Sequence, residues 1–302
     1  MLVMQLPERV RIVEVSPRDG LQNEVERVET DAKLSFIELL RQAGLSMIEI
    51  TSCVPARWVP QLADHAEVIR SVSRCAQVIY PVLVPNVRGF EDAVAAGATA
   101  VSVIASVSES FSKRNSNCTI QEGLKRCGEI IGRAHAAGIA VRGYISCTLG
   151  CPYEGEIALT EVKRVAGQLY QLGCPEIALS DTVGVGTPGK VQAMIEAVAE
   201  TIPVEQLAVH FHDTYGQALA NILAALECGV CIVDSSVAGL GGCPYARGAS
   251  GNVATEDLLY MLNGLNIVTG VDLEKLLTAG DFICRQLGRP SRSKVSLARP
   301  KR

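Results

Sequence analysis

Two histidines stand two residues apart in Leu207-Ala-Val-His-Phe-His-Asp213, a stretch whose pattern is typical of a β-strand. Side chains at positions i and i+2 leave the same face of a strand, with Cα atoms about 7 Å apart. His210 and His212 could therefore reach one metal ion together. A simpler interpretation is that two hydrogen-bonded histidines fill a polar strand face. The chain has four histidines, so half of them lie here.

Polar side chains also concentrate at the ends of other predicted strands. The positions are the segment Ser16-Pro-Arg-Asp-Gly20, Glu49 between two isoleucines, the alternating series Arg142, Tyr144 and Ser146, and the pair Ser180-Asp181. A charged side chain inside a protein is costly unless it is paired. Several charged residues at strand ends therefore favour a functional site over a set of structural polar residues.

A glycine-rich segment, Gly239–Asn252, follows the eighth predicted strand and carries Cys243. Its five glycines in fourteen residues permit hinge motion and close approach of the backbone to a ligand. The segment could also be a mobile connector. A connector, however, has no need for Asn252 and Glu256 at the start of the following helix.

The elements that must position these residues follow a repeated pattern, in which a helix ends in glycine and an apolar strand soon begins. The glycines are Gly44, Gly97, Gly138, Gly173 and Gly229, and strands are predicted near Arg11, Met47, Val78, Thr99, Ala140, Glu176, Leu207 and Ile232. Helix starts are indicated at Thr30, Thr119 (a capping box with Glu122), Thr160 and Thr187. Eight strands alternating with helices predict an α/β fold, a (β/α)8 TIM barrel. The main alternative is a doubly wound sheet, but no Gly-x-Gly-x-x-Gly motif follows the first strand.

The size of the chain fits one such barrel. It has 302 residues, of which 48% are hydrophobic and 20% are charged. We predict a single catalytic domain over residues 1–302, with the barrel at about 11–265, an additional C-terminal helix at about 271–288, and a loosely ordered last dozen residues. In a TIM barrel the polar strand ends would form the active-site face.

The charge balance and the remaining patterns narrow the class of protein. A net charge of −4 argues against nucleic acid or a membrane surface as the main partner. No apolar run approaches the roughly 20 residues needed to span a bilayer, and the first residues lack a signal-peptide pattern, so we expect a cytoplasmic protein with reduced thiols. Cys228 and Cys231 are expected to be small buried hydrophobes, and His65 and His135 ordinary helix-surface residues. Trp58 could line the pocket or simply pack.

Together these residues resemble 3-hydroxy-3-methylglutaryl-CoA lyases, within the barrel metallolyase superfamily that includes Claisen-type synthases. The matching segments are Val15–Glu24, Tyr144–Gly155, Ser180–Gly189, His210–Asn221 and Val237–Ala246, the last continuing through Asn252 and Glu256. The Arg-Asp-Gly and His-x-His parts are shared with isopropylmalate and homocitrate synthases. The Gly-Gly-Cys-Pro-Tyr segment is more specific to the lyases.

The resemblance implies cleavage of 3-hydroxy-3-methylglutaryl-CoA to acetyl-CoA and acetoacetate, a reaction of leucine breakdown and ketone-body formation. It also implies a divalent cation, Mg²⁺ or Mn²⁺, held by Asp19, His210, His212 and Asn252. Arg18 would stabilise the enolate, Asp181 would act as general base and Cys243 as the acid that protonates the carbanion. Glu49 and His210 belong to the same catalytic set, with Glu256 and Tyr144 beside it.

The resemblance also indicates where the CoA thioester would lie. Asn115 and the pair Lys113-Arg114 are expected to contact the coenzyme, although a basic pair alone could be an ordinary surface feature. Val25 stands where family members often have a lysine near the coenzyme phosphates. Animal members have a C-terminal cysteine linked to thiol regulation between subunits; no cysteine follows Cys284, so that regulation is not expected. A homodimer is expected from the resemblance alone.

Three alternatives remain open from the sequence. A Claisen-type synthase would join acetyl-CoA to a 2-oxo acid through the same metal, but such synthases usually carry an extra C-terminal regulatory domain. A lyase for a longer 3-hydroxy-3-alkylglutaryl-CoA is compatible with the same motifs. A barrel that binds a metabolite without turnover would be expected to have a damaged catalytic set, whereas this set is complete.

Overall fold

Nine short parallel strands form one sheet in the computed structural model, which describes residues 6–242 and 251–299. They are β1 Arg11–Glu14, β2 Met47–Ile48, β3 Thr51–Ser52, β4 Pro81–Leu83, β5 Ala100–Ser106, β6 Ala140–Ser146, β7 Ile177–Asp181, β8 Leu207–Phe211 and β9 Ile232–Ser235. Their order in the sheet is β2-β1-β9-β8-β7-β6-β5-β4-β3. The third predicted strand, which is β4 here, begins at Pro81 rather than near Val78.

The two ends of this order, β2 and β3, are halves of a single predicted strand separated by Glu49 and Ile50. The Glu49 N–H donates to the Glu14 carbonyl of β1 at 2.9 Å, and the Ile50 N–H donates to the Pro81 carbonyl of β4 at 3.1 Å. The interrupted strand is thus bonded on both sides, and the sheet closes on itself. The predicted eight-stranded TIM barrel is confirmed when β2 and β3 are counted as one strand, because a doubly wound sheet would leave two free edges.

Helices connect the strands and cover the outside of the barrel. They are α1 Thr30–Gln42, α2 His65–Ser71, α3 Val87–Ala95, α4 Glu109–Ser116, α5 Ile120–Ala136, α6 Leu159–Gln171, α7 Pro188–Ala199, α8 Ala218–Glu227, α9 Thr255–Gly264, α10 Leu273–Gln286 and α11 Lys294–Ala298. The capping box predicted at Thr119 is present at the start of α5. All five glycines predicted to end helices have positive φ, a conformation that glycine adopts without a steric penalty.

Alternate side chains of each strand face the helices or the inside of the barrel. The outward residues pack with the helices in one large apolar cluster. The inward residues form a smaller cluster of Val13, Val15, Met47, Leu83, Tyr144, Ala178, Ala208 and Ile232. By the same alternation, Glu49, Arg142, His210 and Asp234 also face inward. The interior of this barrel is therefore partly polar, and its polar residues lead toward the carboxyl ends of the strands.

The C-terminal part of the described chain is more ordered than the sequence predicts. Helix α10 confirms the predicted additional helix, and it packs against α1. The expected loose order of the last residues is wrong for α11. Asp257 accepts hydrogen bonds from the Ser293 hydroxyl and from the N–H groups of Lys294 and Val295. This carboxylate fixes the first turn of α11. Because Asp257 is distant in the sequence, no local pattern predicts the contact.

Several side chains outside the site have clear positions. His135 is exposed on α5 as predicted, and His65, at the first residue of α2, is half-buried. Cys228 and Cys231 are half-buried rather than buried, which corrects the prediction because the turn between α8 and β9 lies near the surface. Trp58 is 72% exposed, with the Arg57 guanidinium 5.7 Å from its ring centre. Among the described residues, no helix is both long and apolar enough to cross a membrane.

Candidate active site

Three metal-ligating side chains meet where β1 and β8 end. Asp19, His210 and His212 each offer one ligand atom, and these atoms all lie within 4.8 Å of one another. Both histidines are buried, with 6% and 8% of their surface exposed. The two side chains converge as the i, i+2 spacing predicts. In residues 6–242 and 251–299 this is the one such group of three that is found.

Asn252, the fourth predicted ligand, reaches the same place on the segment Gly251–Ala254, which lies between the ends of β8 and β9. The Asp213 N–H donates to the Gly251 carbonyl at 2.7 Å, and the Ser236 N–H donates to the Val253 carbonyl at 3.0 Å. These bonds set Asn252 opposite His212. The Asn252 amide nitrogen donates to Asp19 Oδ2 at 2.7 Å, so the structure brings all four predicted ligands together.

Asp19 is presented by a π-helical turn, Ser16–Gly20, directly after β1. The N–H groups of Asp19 and Gly20 both donate to the Val15 carbonyl, at 2.8 and 3.1 Å. A Cβ on Gly20 would lie 2.7 Å from Ser236 Oγ and 2.8 Å from Leu240 Cβ. Glycine is needed here because the first and last strand ends of the barrel come into close contact. π-Turns of this kind occur frequently at functional sites.

Arg18 lies beside the ligands and is almost completely buried, at 5% exposed. Its Nε donates to Glu49 Oε2 and its Nη1 donates to Asp19 Oδ1, both at 2.5 Å. The guanidinium also lies 5.4 Å from the centre of the Tyr144 ring. Burial alone would lower the pKa of Arg18, but Glu49 and Asp19 raise that pKa above its usual value. Arg18 is therefore a fixed positive charge at the edge of the site.

Two of the predicted ligands, Asp19 and His212, are held in the protonation states that bind metals. Burial would raise the pKa of Asp19, but Arg18 and His210 outweigh it and hold the pKa well below its usual range. Burial, together with His210, lowers the pKa of His212 to about 4. Asp19 is thus a carboxylate and His212 a neutral imidazole near pH 7, the forms that coordinate cations. The Nδ1 atom of His212 is buried and has no hydrogen-bond partner among the described residues, which fits a site completed by a bound ion.

Asp234 on β9 contacts the candidate site, and the sequence patterns did not single it out. Its Oδ2 lies 3.1 Å from His210 Nδ1, and Arg142 donates to both of its oxygens. Burial would raise the pKa of Asp234, but Arg142 and His210 lower it below its usual value. The available signal was an acid inside the otherwise apolar start of a strand, Ile232-Val-Asp234.

Two buried carboxylates hold the turn that leads from β9 into the glycine-rich segment. Glu256 accepts from the Ala238 N–H at 2.9 Å, and Glu14 Oε1 accepts from the Val237 N–H at 3.0 Å. Burial raises the pKa of Glu256 to about 8 and that of Glu14 to about 7. Glu256 therefore supports the backbone behind the site. Glu14 was not singled out by the sequence, because its partner backbone lies more than two hundred residues away.

Asp181 is not brought into the ligand group. It leaves the face of β7 that carries Ile177 and Leu179, opposite to inward-facing Ala178. Its two oxygens accept from the N–H groups of the segment 184–186, at 3.0, 3.2 and 2.7 Å. Burial raises the pKa of Asp181 although these bonds lower it. Its predicted role as general base stays a prediction.

The predicted acid, Cys243, lies outside the described residues. Asn115, Lys113 and Arg114 lie on the short helix α4, which follows β5. Asn115 lines a small cavity with residues from the ends of β5 and β6, and Lys113 lies 3.8 Å from Glu109. Arg114 lies 4.4 Å from the Tyr153 ring centre. The predicted coenzyme contacts stay predictions.

The chain is similar to known proteins over nearly its whole length. The family model described as HMGL-like matches residues 9–283. The chain is 59% identical to the mitochondrial hydroxymethylglutaryl-CoA lyase of Mus musculus, over 97% of this chain and 90% of that protein. It is 60% identical to the cytoplasmic 3-hydroxy-3-methylglutaryl-CoA lyase of Rattus norvegicus, over 97% of this chain and 85% of that protein.

Two solved structures of HMG-CoA lyases also match the chain. The crystal structure of hydroxymethylglutaryl-CoA lyase from Pseudomonas aeruginosa matches with a TM-score of 0.96 and 52% identity, over 98% of both chains. An HMG-CoA lyase from Acinetobacter baumannii, in complex with coenzyme A and 3-methylmalate, matches with a TM-score of 0.92 and 36% identity, also over 98% of both chains. The predicted resemblance is confirmed over nearly the whole length of the chain.

Proposed function

The chain belongs to the HMGL-like family, and from that premise we propose that it is a carbon–carbon lyase that cleaves 3-hydroxy-3-methylglutaryl-CoA to acetyl-CoA and acetoacetate. The observation that carries the proposal is the convergence of Asp19, His210 and His212 beside the buried cation Arg18. Both relatives described above are named for this activity. The chain also superposes on a lyase structure that holds coenzyme A.

The donor set fits a divalent cation. Asp19, His210, His212 and the amide oxygen of Asn252 would hold it, and we propose Mg²⁺ or Mn²⁺ because mixed nitrogen and oxygen sites accept both. When bound, the cation would supply Lewis-acid polarisation of the substrate hydroxyl and carboxylate.

The reaction removes the proton of a tertiary hydroxyl and breaks the neighbouring carbon–carbon bond. The electron pair of that bond goes to the acetyl thioester as an enolate, and a proton added to the enolate carbon completes acetyl-CoA. Arg18 is already paired on one side with Glu49 and Asp19. A fixed guanidinium of this kind can stabilise the enolate oxygen, and such a donor contributes about 3–4 kcal/mol.

The reaction requires two proton transfers, one from the substrate hydroxyl and one to the enolate carbon. We propose Asp181 as the base for the hydroxyl, supported by its raised pKa, and Cys243 as the acid that protonates the enolate carbon. His210 can take part in these proton transfers because its ring lies beside the other predicted ligands. Tyr144 packs against both Arg18 and His210 and restricts their movement.

The proposal is tested by turnover of 3-hydroxy-3-methylglutaryl-CoA with chelator-treated protein to which Mg²⁺ or Mn²⁺ is returned. We expect acetyl-CoA and acetoacetate in equal amounts, and only with metal. His212→Ala should lose the metal-dependent activity. His135→Ala is the matched control, since it makes the same change on the exposed surface of α5.

A folded protein that makes no product with either metal would refute the proposed substrate. The longer 3-hydroxy-3-alkylglutaryl-CoA thioesters would then be assayed first, and condensation of acetyl-CoA with a 2-oxo acid second.

We also propose that the protein forms a homodimer, which a sedimentation measurement of its mass would detect. A cytoplasmic location stays a prediction, since relatives are named for both the cytoplasm and the mitochondrion. Roles in leucine degradation and ketone-body formation are part of the same proposal.

A further inference from the structure

We propose that Asp234 is a positioning residue for His210: its carboxylate keeps the imidazole proton on Nδ1 and leaves Nε2 free to bind the cation. The inference rests on the metal-dependent function proposed above and deepens it. His210 Nδ1 lies 3.1 Å from Asp234 Oδ2, and His210 Nε2 lies 3.9 Å from Asp19 Oδ2. One ring nitrogen therefore faces a carboxylate inside the barrel and the other faces the ligand group.

The choice of tautomer follows from the hydrogen-bonding capacity of each group. An ionised carboxylate accepts hydrogen bonds and donates none, so Nδ1 must carry the hydrogen in this contact. A neutral imidazole has a single N–H, and Nε2 then keeps its lone pair. An imidazole with the hydrogen on Nε2 would direct that hydrogen at the site and could not bind a cation through that atom.

Asp234 is itself held rigidly, which makes it effective. Arg142 Nη2 donates to Asp234 Oδ1 at 2.5 Å and Nη1 donates to Oδ2 at 3.0 Å. Arg142 Nη1 also donates to the Tyr144 hydroxyl at 2.7 Å. The Tyr144 ring meets the His210 ring edge to face, with centres 5.8 Å apart and planes at 85°. The imidazole is thus fixed in both its tautomer and its plane.

His212 provides a contrast within the same site. Its Nδ1 is buried and has no hydrogen-bond partner within residues 6–242 and 251–299, so no carboxylate in these ranges selects its tautomer. Loss of Asp234 should therefore act on one ligand of the pair and not on the other. The effect is a weaker site rather than a lost one.

A second carboxylate offers a matched control, because Arg142 pairs with two acids. Its Nε donates to Glu176 Oε1 at 2.5 Å, on the side away from His210. Glu176 also pairs with Arg11, and it precedes β7, in which Ser180 is the residue beside His210. Asp234→Asn and Glu176→Gln each remove one negative charge from Arg142, but only Asp234→Asn changes the contact at His210 Nδ1.

The experiment uses the full chain and needs no substrate. Nitrogen-detected NMR of the metal-free protein, with ¹⁵N-labelled histidine, reports the tautomer of each of the four imidazoles. Removal of His65, His135 and His212 one at a time assigns the His210 signals. Mn²⁺ titration followed by electron paramagnetic resonance then gives the dissociation constant of the wild type, Asp234→Asn and Glu176→Gln.

We expect the Nδ1–H tautomer at His210 in the wild type. Asp234→Asn should weaken Mn²⁺ binding by about 10–100-fold, and Glu176→Gln by less than about threefold. The Nε2–H tautomer in the wild type would overturn the proposal, and that measurement stands even if Asp234→Asn does not fold. Equal weakening in both variants, or unchanged binding in Asp234→Asn, would also overturn it. Neither measurement depends on turnover, so a wrong substrate would leave this result intact.

Discussion

Replacement of Arg18 by glutamine separates what this residue does for stability from what it does for catalysis. The guanidinium bridges Glu49 and Asp19, and Glu49 is completely buried. Removing the cation leaves Glu49 without its counter-charge, and its other oxygen has no hydrogen-bond partner in the part of the chain that the structure describes. Breaking a buried pair in this way costs about 3–5 kcal/mol.

The expected change in melting temperature follows from the size of the chain. An unfolding entropy of about 2.1 cal/mol/K per residue gives about 0.6 kcal/mol/K for 302 residues. A loss of 3–5 kcal/mol therefore lowers Tm by about 5–8 °C. We expect kcat to fall by roughly 10³-fold or more, while Mn²⁺ still binds because the four ligands remain.

The double variant Arg18→Gln/Glu49→Gln provides the decisive comparison. Removing both charges restores much of the lost stability, because the completely buried Glu49 is then no longer an unpaired ion, while Asp19 keeps its hydrogen bond from Asn252. It does not restore kcat, because the donor to the enolate is still missing. Urea unfolding and steady-state turnover of the wild type and of both variants measure the two effects. The reasoning is refuted if Arg18→Gln unfolds like the wild type, or if the double variant regains turnover.

Three further predictions concern other parts of the molecule. Cys243→Ser should lower kcat by about 10²–10⁴ with little change in urea unfolding; a protein that unfolds instead would make this cysteine structural. Glu256 and Glu14 have pKa values of about 8 and 7 in the folded state, above their ordinary 4.5, so the folded state binds more protons than the unfolded chain. The free energy of unfolding should therefore fall by about 3 kcal/mol from pH 6.5 to 8.5, most of it from Glu256. Urea titrations of Glu256→Gln should show a flatter dependence, and an unchanged slope would contradict this origin. Lys33 is 2% exposed and donates to Asp64. Lys33→Met should therefore cost about 3–5 kcal/mol of stability and leave kcat unchanged. A folded variant with a much lower kcat would contradict this and show that Lys33 helps to hold the active site.

Local patterns in the sequence predict the elements of this protein well. The glycines that end helices, the capping box at Thr119 and the i, i+2 pair His210 and His212 depend on neighbours within a few residues. Their geometry follows from backbone periodicity, which is the same in any fold. The inward direction of Glu49 follows for the same reason, because it alternates with Ile48 and Ile50.

The tertiary structure alone decided which residues from different strands face each other. Closure of the barrel through an interrupted strand, and the contact of Asp234 with His210, depend on register between segments that are distant in sequence. Asp181 lies one position beyond Ser180, and that single step turns its side chain to the opposite face of β7, toward the 184–186 backbone. The sequence by itself determined the chemistry that is available at each strand end. Packing determined which groups meet, because a contact between distant segments has no local signal.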